Sequence, residues 1–319
     1  MKGFVGFTRR SHLPSRLVQL NTKVDRTLLR VTSEYDTLKR VILGTGVGMK
    51  AEPTEIINET TRKTTMTGRY PSGIDTETEL RAVETTLTEA GVDVLRPDVL
   101  TDAPLVSDQT CPRDLGFMIE DLFFVARSKF GSRNAEMPGI ERIIAHLPAE
   151  NVVQTPPDHH LEGGDVVLAP GLVYVGLGQR SNLKAIEWLA ATLAARGIER
   201  DVVLVRHEAL HLDCCWNVIG PDVALWCPEV APSMRTISGD AYYPSYQYLR
   251  LTRAEQAALA ANVLCVMPGC IIGRADPACD RIQSALKIDF NYRVISLTFD
   301  CVPSLGGSFR CATLPLCRG

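Results

Sequence analysis

Two apolar segments around a tight turn, followed by a helix and a further apolar segment, form a unit that recurs along this chain. Residues 166–168 and 172–175 flank Ala-Pro-Gly at 169–171 and predict a β-hairpin. A helix is predicted over residues 182–196, because apolar side chains recur at helical spacing and a glycine follows them. Residues 202–205 then predict a strand. Strands interleaved with helices in this way favour the α/β class.

The same unit is predicted elsewhere, although its copies share a pattern and no residue-level identity. The other predicted elements are strands at 38–44, 92–95 and 294–297, hairpins pairing 117–119 with 122–125, 218–219 with 223–226 and 263–266 with 270–273, and helices between Asp75 and Gly91, at 252–260 and at 277–286. Residues 45–74 show no clear period and predict a long loop with room for a short helix. No Pro- or Ser-rich linker follows residue 32, so we expect residues 33–319 to form a single domain.

The composition is that of an ordinary globular protein. Of 319 residues, 45% are hydrophobic and 22% are charged, and the net charge is −3. Without a strong basic excess to neutralise phosphates, we expect no nucleic-acid partner. No segment reaches the roughly 20 continuous apolar residues that cross a bilayer, and no apolar signal core stands in the first 30 residues. We therefore expect a cytoplasmic protein with no membrane association.

The first 32 residues are rich in basic side chains. Arg9, Arg10, Lys23 and Arg26 stand there against a single acid in the first 30 residues, Asp25. This charge pattern favours a flexible basic tail over residues 1–32. An organelle transit peptide, which is also Arg-rich and acid-poor, is the alternative.

Ten cysteines are many for an intracellular chain. Their spacing does not resemble a small disulfide scaffold, and no export signal favours oxidation. We expect most of them to be reduced and buried as small hydrophobic side chains. Their number also leaves room for one reactive thiol.

Five short polar motifs interrupt the apolar pattern, each at a predicted strand end or turn, where a rigid scaffold presents side chains. They are Cys-Pro-Arg-Asp at 111–114, Glu-Gly-Gly-Asp at 162–165, Gln-Arg-Ser-Asn at 179–182, His-Leu-Asp at 211–213 and Gly-Gly-Ser-Phe-Arg-Cys-Ala-Thr at 306–313.

Cys311 is a candidate nucleophile. It follows a glycine pair, Gly306-Gly307, that lets the backbone bend or approach a ligand closely. A cysteine in such a segment, with a histidine elsewhere in the chain, is a known arrangement for covalent catalysis. Taken alone, a cysteine in a chain with ten of them is more often a packed structural thiol.

Asp114 and Asp213 are candidate ligands for a planar cation. A guanidinium carries five N–H donors and pairs bidentately with carboxylates, so a site that grips it from two sides needs two acids and a nucleophile above the plane. Read alone, an aspartate after Pro-Arg is more often a turn residue or a helix cap. Glu162 alone would be a solvated turn residue, and His211 alone a hydrogen-bonded structural histidine.

Read together and in this order, the motifs resemble those of the guanidino-group-modifying enzyme superfamily, which contains arginine deiminases, amidinotransferases and dimethylarginine dimethylaminohydrolases. The resemblance covers residues 33–318 and includes the opening segment at 33–42, which is similar to the first strand of the superfamily. It implies a five-bladed, pseudo-symmetric α/β propeller of ββαβ modules with the site at its centre. It also implies that the single domain at 33–319 is catalytic.

The resemblance further implies roles for three catalytic residues. Cys311 matches the nucleophile, His211 the general acid and base, and Glu162 the acid that orients the histidine. A thiolate attacks the guanidinium carbon, and His211 protonates the leaving nitrogen. The covalent amidino-cysteine is then resolved by water or by an amine.

Four residues are implied to bind the substrate. Asp114 and Asp213 match the two carboxylates that hold the guanidinium. Arg180 resembles a residue that pairs with the carboxylate of the substrate, and Asn262 fits a recurrent asparagine near the site.

The reaction class is predicted to be a deiminase-type hydrolysis of arginine or an arginine-like guanidine, with amidino transfer to an amine as the alternative. Glu162 resembles the hydrolases, whereas residues 179–189 and 211–228 are at least as similar to amidinotransferases. Asp213 disfavours methylated arginine, since dimethylargininases tend to have lysine at that position. The chain also lacks the length of typical bacterial arginine deiminases. A dimethylarginine dimethylaminohydrolase and a non-catalytic binding module are further alternatives.

We expect a small guanidine as the partner and neither cofactor nor metal, and the sequence leaves a homo-oligomer open. No phosphate-binding glycine loop or dinucleotide fingerprint is present. A zinc site would draw on His211, Cys214, Cys215, His159 and His160. No Cys-x-x-Cys pair supports that alternative.

Overall fold

The computed structural model describes residues 29–319. Of the predicted basic tail, residues 1–28 lie outside the described residues. Leu29 and Val31 are buried, and Val31 forms a β-bridge with Glu120. At least this part of the segment packs on the domain.

The described residues form a mixed α/β fold with five small sheets. The strands are β1 (Leu38–Leu43), β2 (Asp93–Leu95), β3 (Gly116–Ile119), β4 (Leu122–Val125), β5 (Val152–Gln154), β6 (Val166–Ala169), β7 (Leu172–Leu177), β8 (Asp201–Arg206), β9 (Trp216–Val218), β10 (Val223–Trp226), β11 (Ser233–Thr236), β12 (Gln247–Arg250), β13 (Leu264–Met267), β14 (Cys270–Arg274), β15 (Arg293–Leu297) and β16 (Thr313–Arg318). The helices are α1 (Glu59–Met66), α2 (Gly73–Glu89), α3 (Gly131–Asn134), α4 (Pro138–Ile144), α5 (Leu183–Ala195), α6 (Arg253–Ala257) and α7 (Asp280–Ile288).

The strand pairing of the predicted unit recurs in all five sheets, although none of the described helices lies between β10 and β12, and no turn joins β16 to β1. In each, a middle strand pairs antiparallel with one neighbour and parallel with the other. The sheets have the strand orders β3-β4-β5, β6-β7-β8 with β11 added, β9-β10-β12, β13-β14-β15 and β16-β1-β2. The last of these joins the two ends of the domain, because β16 pairs with β1.

A short turn precedes the outer antiparallel strand of every sheet. These turns place polar residues one to three positions before the strand begins, namely Asp114, Asp165, Asp213, Asn262 and Cys311. Hydrogen bonds tie the turns to one another. The amide of Arg113 donates to the Cys311 carbonyl (3.3 Å), and the amide of Arg310 donates to the Asn262 carbonyl (3.3 Å). Motifs up to about 200 residues apart are thereby brought together.

The turn that carries Cys311 rests on the hydrophobic core. Phe309 stacks on Phe299 with ring centroids 4.4 Å apart, and both belong to the buried cluster that α2 supplies with Leu80 and Val83. Burying such large apolar side chains is the main stabilising contribution in folding. The segment that carries Cys311 is therefore fixed by packing as well as by hydrogen bonds.

Several element boundaries differ from the predictions. Helix α2 begins at Gly73, because the Ser72 side chain accepts from the Asp75 amide and so takes the capping role predicted for Asp75. Helix α1 lies within the predicted loop. No prediction covered α3, α4, β5, β11, β12 or β16, and no helix within residues 29–319 has both the length and the apolar character to cross a membrane.

Candidate active site

Cys311 lies at the centre of a buried polar cluster. Side-chain atoms of His211, Asp213 and Cys311 lie within 4.8 Å of one another, and all three residues are buried. The Cys311 Sγ is 3.8 Å from Oδ2 and 3.9 Å from Oδ1 of Asp213. A thiol, an imidazole and a carboxylate thus face one small volume.

Asn262 holds the Cys311 turn from the neighbouring sheet. Its Oδ1 accepts from the amides of Ser308 and Cys311, both at 3.2 Å. Its Nδ2 then points at the Cys311 Sγ, 3.2 Å away. A fully buried amide that accepts two backbone N–H groups is fixed in orientation, so it presents an N–H donor to the sulfur.

The glycine pair before Cys311 is required by the geometry. Gly306 has φ +105°, which side chains with a Cβ rarely adopt. A Cβ on Gly307 would lie 2.9 Å from both the Cys111 Sγ and the Cys311 Cβ. A side chain at Gly307 would therefore displace Cys311, and one at Gly306 would strain the backbone of the same turn.

Glu162 orients His211. Its Oε2 lies 2.7 Å from the His211 Nε2, and its Oε1 accepts from the Ser128 hydroxyl at 2.5 Å. Burial raises the pKa of Glu162, but Arg180, His211 and Ser128 outweigh burial and hold that pKa below its usual range. Glu162 is consequently ionised. Next to it, Gly164 leaves room for the imidazole, since a Cβ there would lie 2.6 Å from the His211 Cγ.

Asp114 faces the other side of His211. Its Oδ1 is 3.7 Å from the His211 Nδ1, and its Oδ2 is 3.5 Å from the Arg133 Nε. Within residues 29–319, neither Asp114 Oδ1 nor His211 Nδ1 has a hydrogen-bond partner. The pKa of Asp114 is raised, because the effect of burial outweighs His211 and Arg133, which lower this pKa. These unpartnered buried atoms are ready to bind a polar ligand.

Asp213 is anchored by a buried arginine that the sequence analysis did not assign. Arg310 Nη1 donates to Asp213 Oδ2 at 2.7 Å, and Arg310 Nη2 donates to Glu34 at 2.8 Å. Burial raises the pKa of Glu34, but Arg310 and other arginines lower it to about 2. Glu34 and Asp213 thus balance the charge of the buried Arg310, and the hydrogen bond from Arg310 fixes one oxygen of Asp213.

Arg180 is part of the same charge network. Its Nη1 lies 3.1 Å from both carboxylate oxygens of Glu162, and its Nη2 donates to the Ile57 carbonyl at 2.8 Å. The guanidinium carbon also stands 4.6 Å from the centre of the Phe130 ring. The role of Arg180 towards a substrate carboxylate stays a prediction.

Two further residues from the polar motifs serve the geometry of the site. Asp165 accepts from Ser181 Oγ (2.6 Å) and from the Leu212 amide (2.8 Å), so it joins the turns that carry Arg180 and His211. Arg113 Nε donates to the carbonyls of Arg310 and Thr313, which lie on either side of Cys311. Both residues stood in the quoted motifs, but nothing in the sequence indicated their partners.

The Cys311 thiol has a perturbed acidity. The pKa of Cys311 is lowered from its ordinary value. A hydrogen bond with Cys214 is the largest cause, and His211 also lowers this pKa, whereas burial and Asp213 raise it. The pKa of His211 is raised well above its ordinary value, because Asp114, Cys311 and Glu162 outweigh the effect of burial. These directions favour a thiolate beside an imidazolium.

The alternative zinc site is not assembled. Among the described residues, the groups close enough to share an ion are His211 with Asp213 and Cys311, and His211 with Asp114 and Glu162. Neither group contains His159, His160 or Cys215. The two groups overlap at His211, and the carboxylates of Glu162 and Asp213 already accept from arginines.

A cleft open to solvent approaches the cluster. It has a volume of about 280 Å³ and is bordered by Gln179, Glu208, Leu210, Cys214 and Gly306. Cys214 directly follows Asp213, and Gly306 begins the glycine pair before Cys311, so the cleft reaches the turns that carry these two residues.

Comparison with known proteins identifies the family. The model of the family described as N,N dimethylarginine dimethylhydrolase, eukaryotic, matches residues 48–318. An uncharacterized protein, YkgA, of Bacillus subtilis (strain 168) is 30% identical over 290 residues, which are 90% of this chain and 94% of that protein. An arginine deiminase of Rhodococcus erythropolis is 26% identical over 130 residues, 38% of this chain and 32% of the enzyme.

The fold is shared with a solved enzyme structure. An amidinotransferase of the saxitoxin biosynthetic pathway of Microseira wollei superposes with a TM-score of 0.74 at 20% identity, covering 91% of this chain and 97% of that one. The superfamily predicted from the motifs is confirmed. The chain belongs to the N,N-dimethylarginine dimethylhydrolase family, within the superfamily of guanidino-group-modifying enzymes.

Proposed function

We propose that this protein is a deiminase-type hydrolase in which Cys311 attacks the guanidinium carbon of arginine or an arginine-like substrate. The observation that carries the proposal is the approach of Cys311, His211 and Asp213 to within 4.8 Å of one another in a buried cluster. Asp114 lies on the other side of His211 from Glu162, so Asp114 and Asp213 supply carboxylates on two sides of the site. Family membership supports chemistry at a guanidino C–N bond.

The substrate would lie with its carbon above the Cys311 sulfur. Asp114 and Asp213 accept hydrogen bonds from the N–H groups of the substrate. The positive charge of the guanidinium then pairs with both carboxylates. Holding the carbon against the sulfur turns a bimolecular encounter into a unimolecular step. Because the cluster is buried, these charges act with little screening by water.

The first half-reaction forms a C–S bond and breaks a C–N bond. The Cys311 thiolate adds to the guanidinium carbon and gives a neutral tetrahedral adduct. Protonated His211 gives its proton to the departing nitrogen, which leaves as ammonia or an amine. The adduct becomes an S-alkylthiouronium on Cys311, and the imidazole becomes neutral.

The second half-reaction consumes one water. Neutral His211 takes one proton from the water as its oxygen bonds to the carbon, which gives a neutral tetrahedral adduct. The C–S bond then breaks to restore the thiolate, and the second proton of the water leaves the new oxygen for the solvent, where the released ammonia or amine takes it up. The product is a urea derivative. Glu162 remains ionised through both steps and keeps the imidazole in place, since its carboxylate is also held by Arg180 and Ser128.

Asp213 supports an unsubstituted guanidinium over a dimethylated one. Its carboxylate stands beside the Cys311 sulfur, at 3.8 Å and 3.9 Å. A doubly methylated nitrogen has no N–H to donate there and would leave a buried carboxylate unpaired, which is costly. Dimethylarginine hydrolysis, which the family description names, is therefore the less favoured reaction.

Amidino transfer is the second candidate function. The fold similarity to an amidinotransferase supports it, and the solvent-open cleft of about 280 Å³ beside Cys214 has room for an amine larger than water.

We also propose that the five sheets are the blades of a pseudo-symmetric α/β propeller. The same strand pairing in every sheet and the position of the site residues before the outer strands support that architecture.

The test is incubation of the enzyme with arginine, agmatine, 4-guanidinobutyrate and asymmetric dimethylarginine, each with and without glycine, followed by mass spectrometry. We expect a urea product and ammonia from at least one unsubstituted guanidine without glycine, and no reaction with Cys311→Ala. Formation of a new guanidine only when an amine is present would replace hydrolysis by transfer. Preferential turnover of dimethylarginine would overturn the argument from Asp213.

A further inference from the structure

His207 is a buried histidine that no step of the mechanism above uses. It directly follows β8, and its side chain is fully buried. Its Nε2 lies 3.1 Å from Asp165 Oδ1, and within residues 29–319 its other ring nitrogen, Nδ1, has no hydrogen-bond partner. An ionised carboxylate only accepts hydrogen bonds, so the imidazole carries a proton on Nε2 and donates it to Asp165.

The strand beside His207 leaves room for this pair at two glycines. A Cβ on Gly176, within β7, would lie 2.6 Å from both the Asp165 Oδ1 and the His207 Nε2. A Cβ on Gly178 would lie 2.5 Å from the His207 Cε1. Neither glycine has a positive φ, so the backbone conformation does not require them. The space for the imidazole and its carboxylate does.

We propose, on the basis of the function proposed above, that His207 is a positioning residue that holds His211 in place through Asp165. The Oδ1 of Asp165 accepts from His207 and, at 2.8 Å, from the amide of Leu212. That amide belongs to the peptide bond between His211 and Leu212. Asp165 therefore fixes the backbone directly after the general acid.

The other oxygen of Asp165 holds the partner of His211. Its Oδ2 accepts from the Ser181 hydroxyl at 2.6 Å, and the oxygen of that hydroxyl accepts from the Glu162 amide at 3.3 Å. One carboxylate thus connects the backbone of His211 with the backbone of Glu162. The contact of 2.7 Å between these two side chains depends on that connection.

Asp165 relies on His207 to stay an oriented carboxylate. Its side chain is fully buried, and among residues 29–319 His207 is the one basic side chain that pairs with it. Burial raises the pKa of Asp165, but His207, His211 and Ser181 outweigh burial and keep that pKa below its usual range. A buried carboxylate that loses a donor turns towards its remaining donors or takes up a proton. Either change releases one of the two backbone segments.

The acidity of His211 reports on this arrangement without any turnover. Its pKa is raised well above the ordinary value, with Glu162 among the causes. If the backbone after His211 is released, the imidazole moves away from that carboxylate and loses its proton at lower pH. The ionisable groups that share the two clusters with the imidazole are Asp114, Glu162, Asp213 and Cys311.

Thr155 offers a matched control outside the network. It is 3% exposed and follows β5, and its hydroxyl donates to the Val125 carbonyl at 2.7 Å. Thr155→Val removes one buried hydrogen-bond donor and keeps the shape of the side chain. His207→Leu likewise removes a buried donor and fills most of the space, but it removes the donor to Asp165.

The experiment is an NMR titration of the histidine rings in substrate-free, full-length enzyme. The chain has six histidines, and comparison with His211→Asn assigns the signal of His211. We expect His207→Leu to lower the midpoint of His211 by about one pH unit, the size of the effect of a neighbouring carboxylate that is partly withdrawn. His207→Gln, whose amide nitrogen can donate from the position of Nε2, should keep most of the wild-type midpoint. Thr155→Val should leave it unchanged.

An unchanged midpoint in folded His207→Leu would overturn the proposal, as would an equal shift in Thr155→Val or in His207→Gln. If His207→Leu does not fold, His207→Met removes the donor with a more adaptable side chain, and the same shift is expected. The titration is separate from the proposed function. A wild-type protein that acts on no guanidine, together with the expected shift, would leave the role of His207 towards His211 standing and reject the reaction.

Discussion

The Nε2 of His211 lies 2.7 Å from the Oε2 of Glu162, and both side chains are buried. The other ring nitrogen, Nδ1, faces Asp114 Oδ1 at 3.7 Å. An imidazole between two carboxylates keeps its proton to a higher pH than one in water. This arrangement favours a protonated His211, which is the state that the general acid of the proposed first half-reaction needs.

Replacing Glu162 by glutamine tests this arrangement. Glu162→Gln removes one of the charges that raise the pKa of His211, so the imidazole loses its proton at lower pH. We expect kcat to fall by at least about 100-fold, the range of general acid–base contributions. The pH at which the basic limb of the kcat profile falls should move downward. Glu150→Gln, on the outer surface, is the control and should leave both quantities unchanged.

A Glu162→Gln variant with an unaltered pH profile would show that another group protonates the leaving nitrogen. Because Arg180 also loses its partner in this variant, thermal unfolding has to be measured in parallel. Activity lost only together with the fold would point to a structural role for Glu162.

Asp213 and Asp114 are expected to respond differently to loss of charge. Asp213→Asn weakens guanidine binding and also leaves the buried Arg310 with one carboxylate fewer, at a cost of about 3 kcal/mol of unfolding free energy. Asp114→Asn should raise KM strongly with a smaller loss of stability, since Asp114 has no hydrogen bond to Arg133. Steady-state kinetics and urea unfolding of both variants separate the two effects.

The exposed Asp240 supplies the control for that comparison, and Asp240→Asn should change neither KM nor stability. If KM and kcat were unchanged in Asp114→Asn, Asp114 would not be a ligand of the guanidinium. Equal destabilisation by the two substitutions would contradict the special role given to the Arg310 pair.

The stability of the fold should depend on Glu34 in acid. The pKa of Glu34 is lowered from 4.5 to about 2 in the folded state, where burial opposes ionisation and Arg310 outweighs it. A lowered folded-state pKa contributes stability that is present above pH 4.5 and is lost as the pH falls towards 2. A shift of this size corresponds to about 3 kcal/mol.

Urea unfolding at pH 6, 4 and 3 measures this contribution. We expect wild-type stability to fall over that range and Glu34→Gln to be less stable at pH 6 but less sensitive to acid. Parallel curves for the two proteins would mean that other carboxylates govern acid unfolding.

The sequence patterns predicted those elements that depend on interactions between residues close together in the sequence. Alternating apolar runs around turns such as Ala169-Pro170-Gly171 located the hairpins of β6 with β7 and of β13 with β14, because turn chemistry and strand propensity act over a few residues. Strand β16 was missed because it follows the polar Cys311 motif directly and contains Pro315. Strand β12, within Gln247–Arg250, is half exposed and carries polar residues, so it has no apolar signal.

In the site, too, residues in local motifs were predicted, and pairs formed by tertiary packing were missed. The motifs contained the residues that the turns bring together, since each stands at the start of an outer strand. The pair of Glu34 and Arg310 spans 276 residues of sequence, and nothing local indicates that it exists. Arg133 beside Asp114 was missed for the same reason: a buried ion pair follows from tertiary packing, and its residues look like surface charges in the sequence.

The last prediction concerns the covalent intermediate. If the leaving nitrogen departs before water or an amine arrives, an amidino group has to reside on Cys311 for part of each turnover. It accumulates when its decay is slower than its formation. In the proposed mechanism Glu162 and His211 serve both steps, so impairing His211 would slow formation and decay together. Rapid acid quenching of wild-type enzyme at saturating substrate is therefore the better way to trap it.

Intact-protein mass spectrometry of the quenched sample should show the mass gain of one amidino group, or of one substrate-derived group when the smaller nitrogen leaves. Peptide mapping should place the group on Cys311, with Cys215→Ala labelled equally and Cys311→Ala not labelled. An adduct on Cys111 or Cys214 would refute Cys311 as the nucleophile, since both thiols lie near enough to the cluster to compete. Once trapped, the adduct also decides the reaction class: decay in water alone supports hydrolysis, whereas decay that requires an added amine supports transfer.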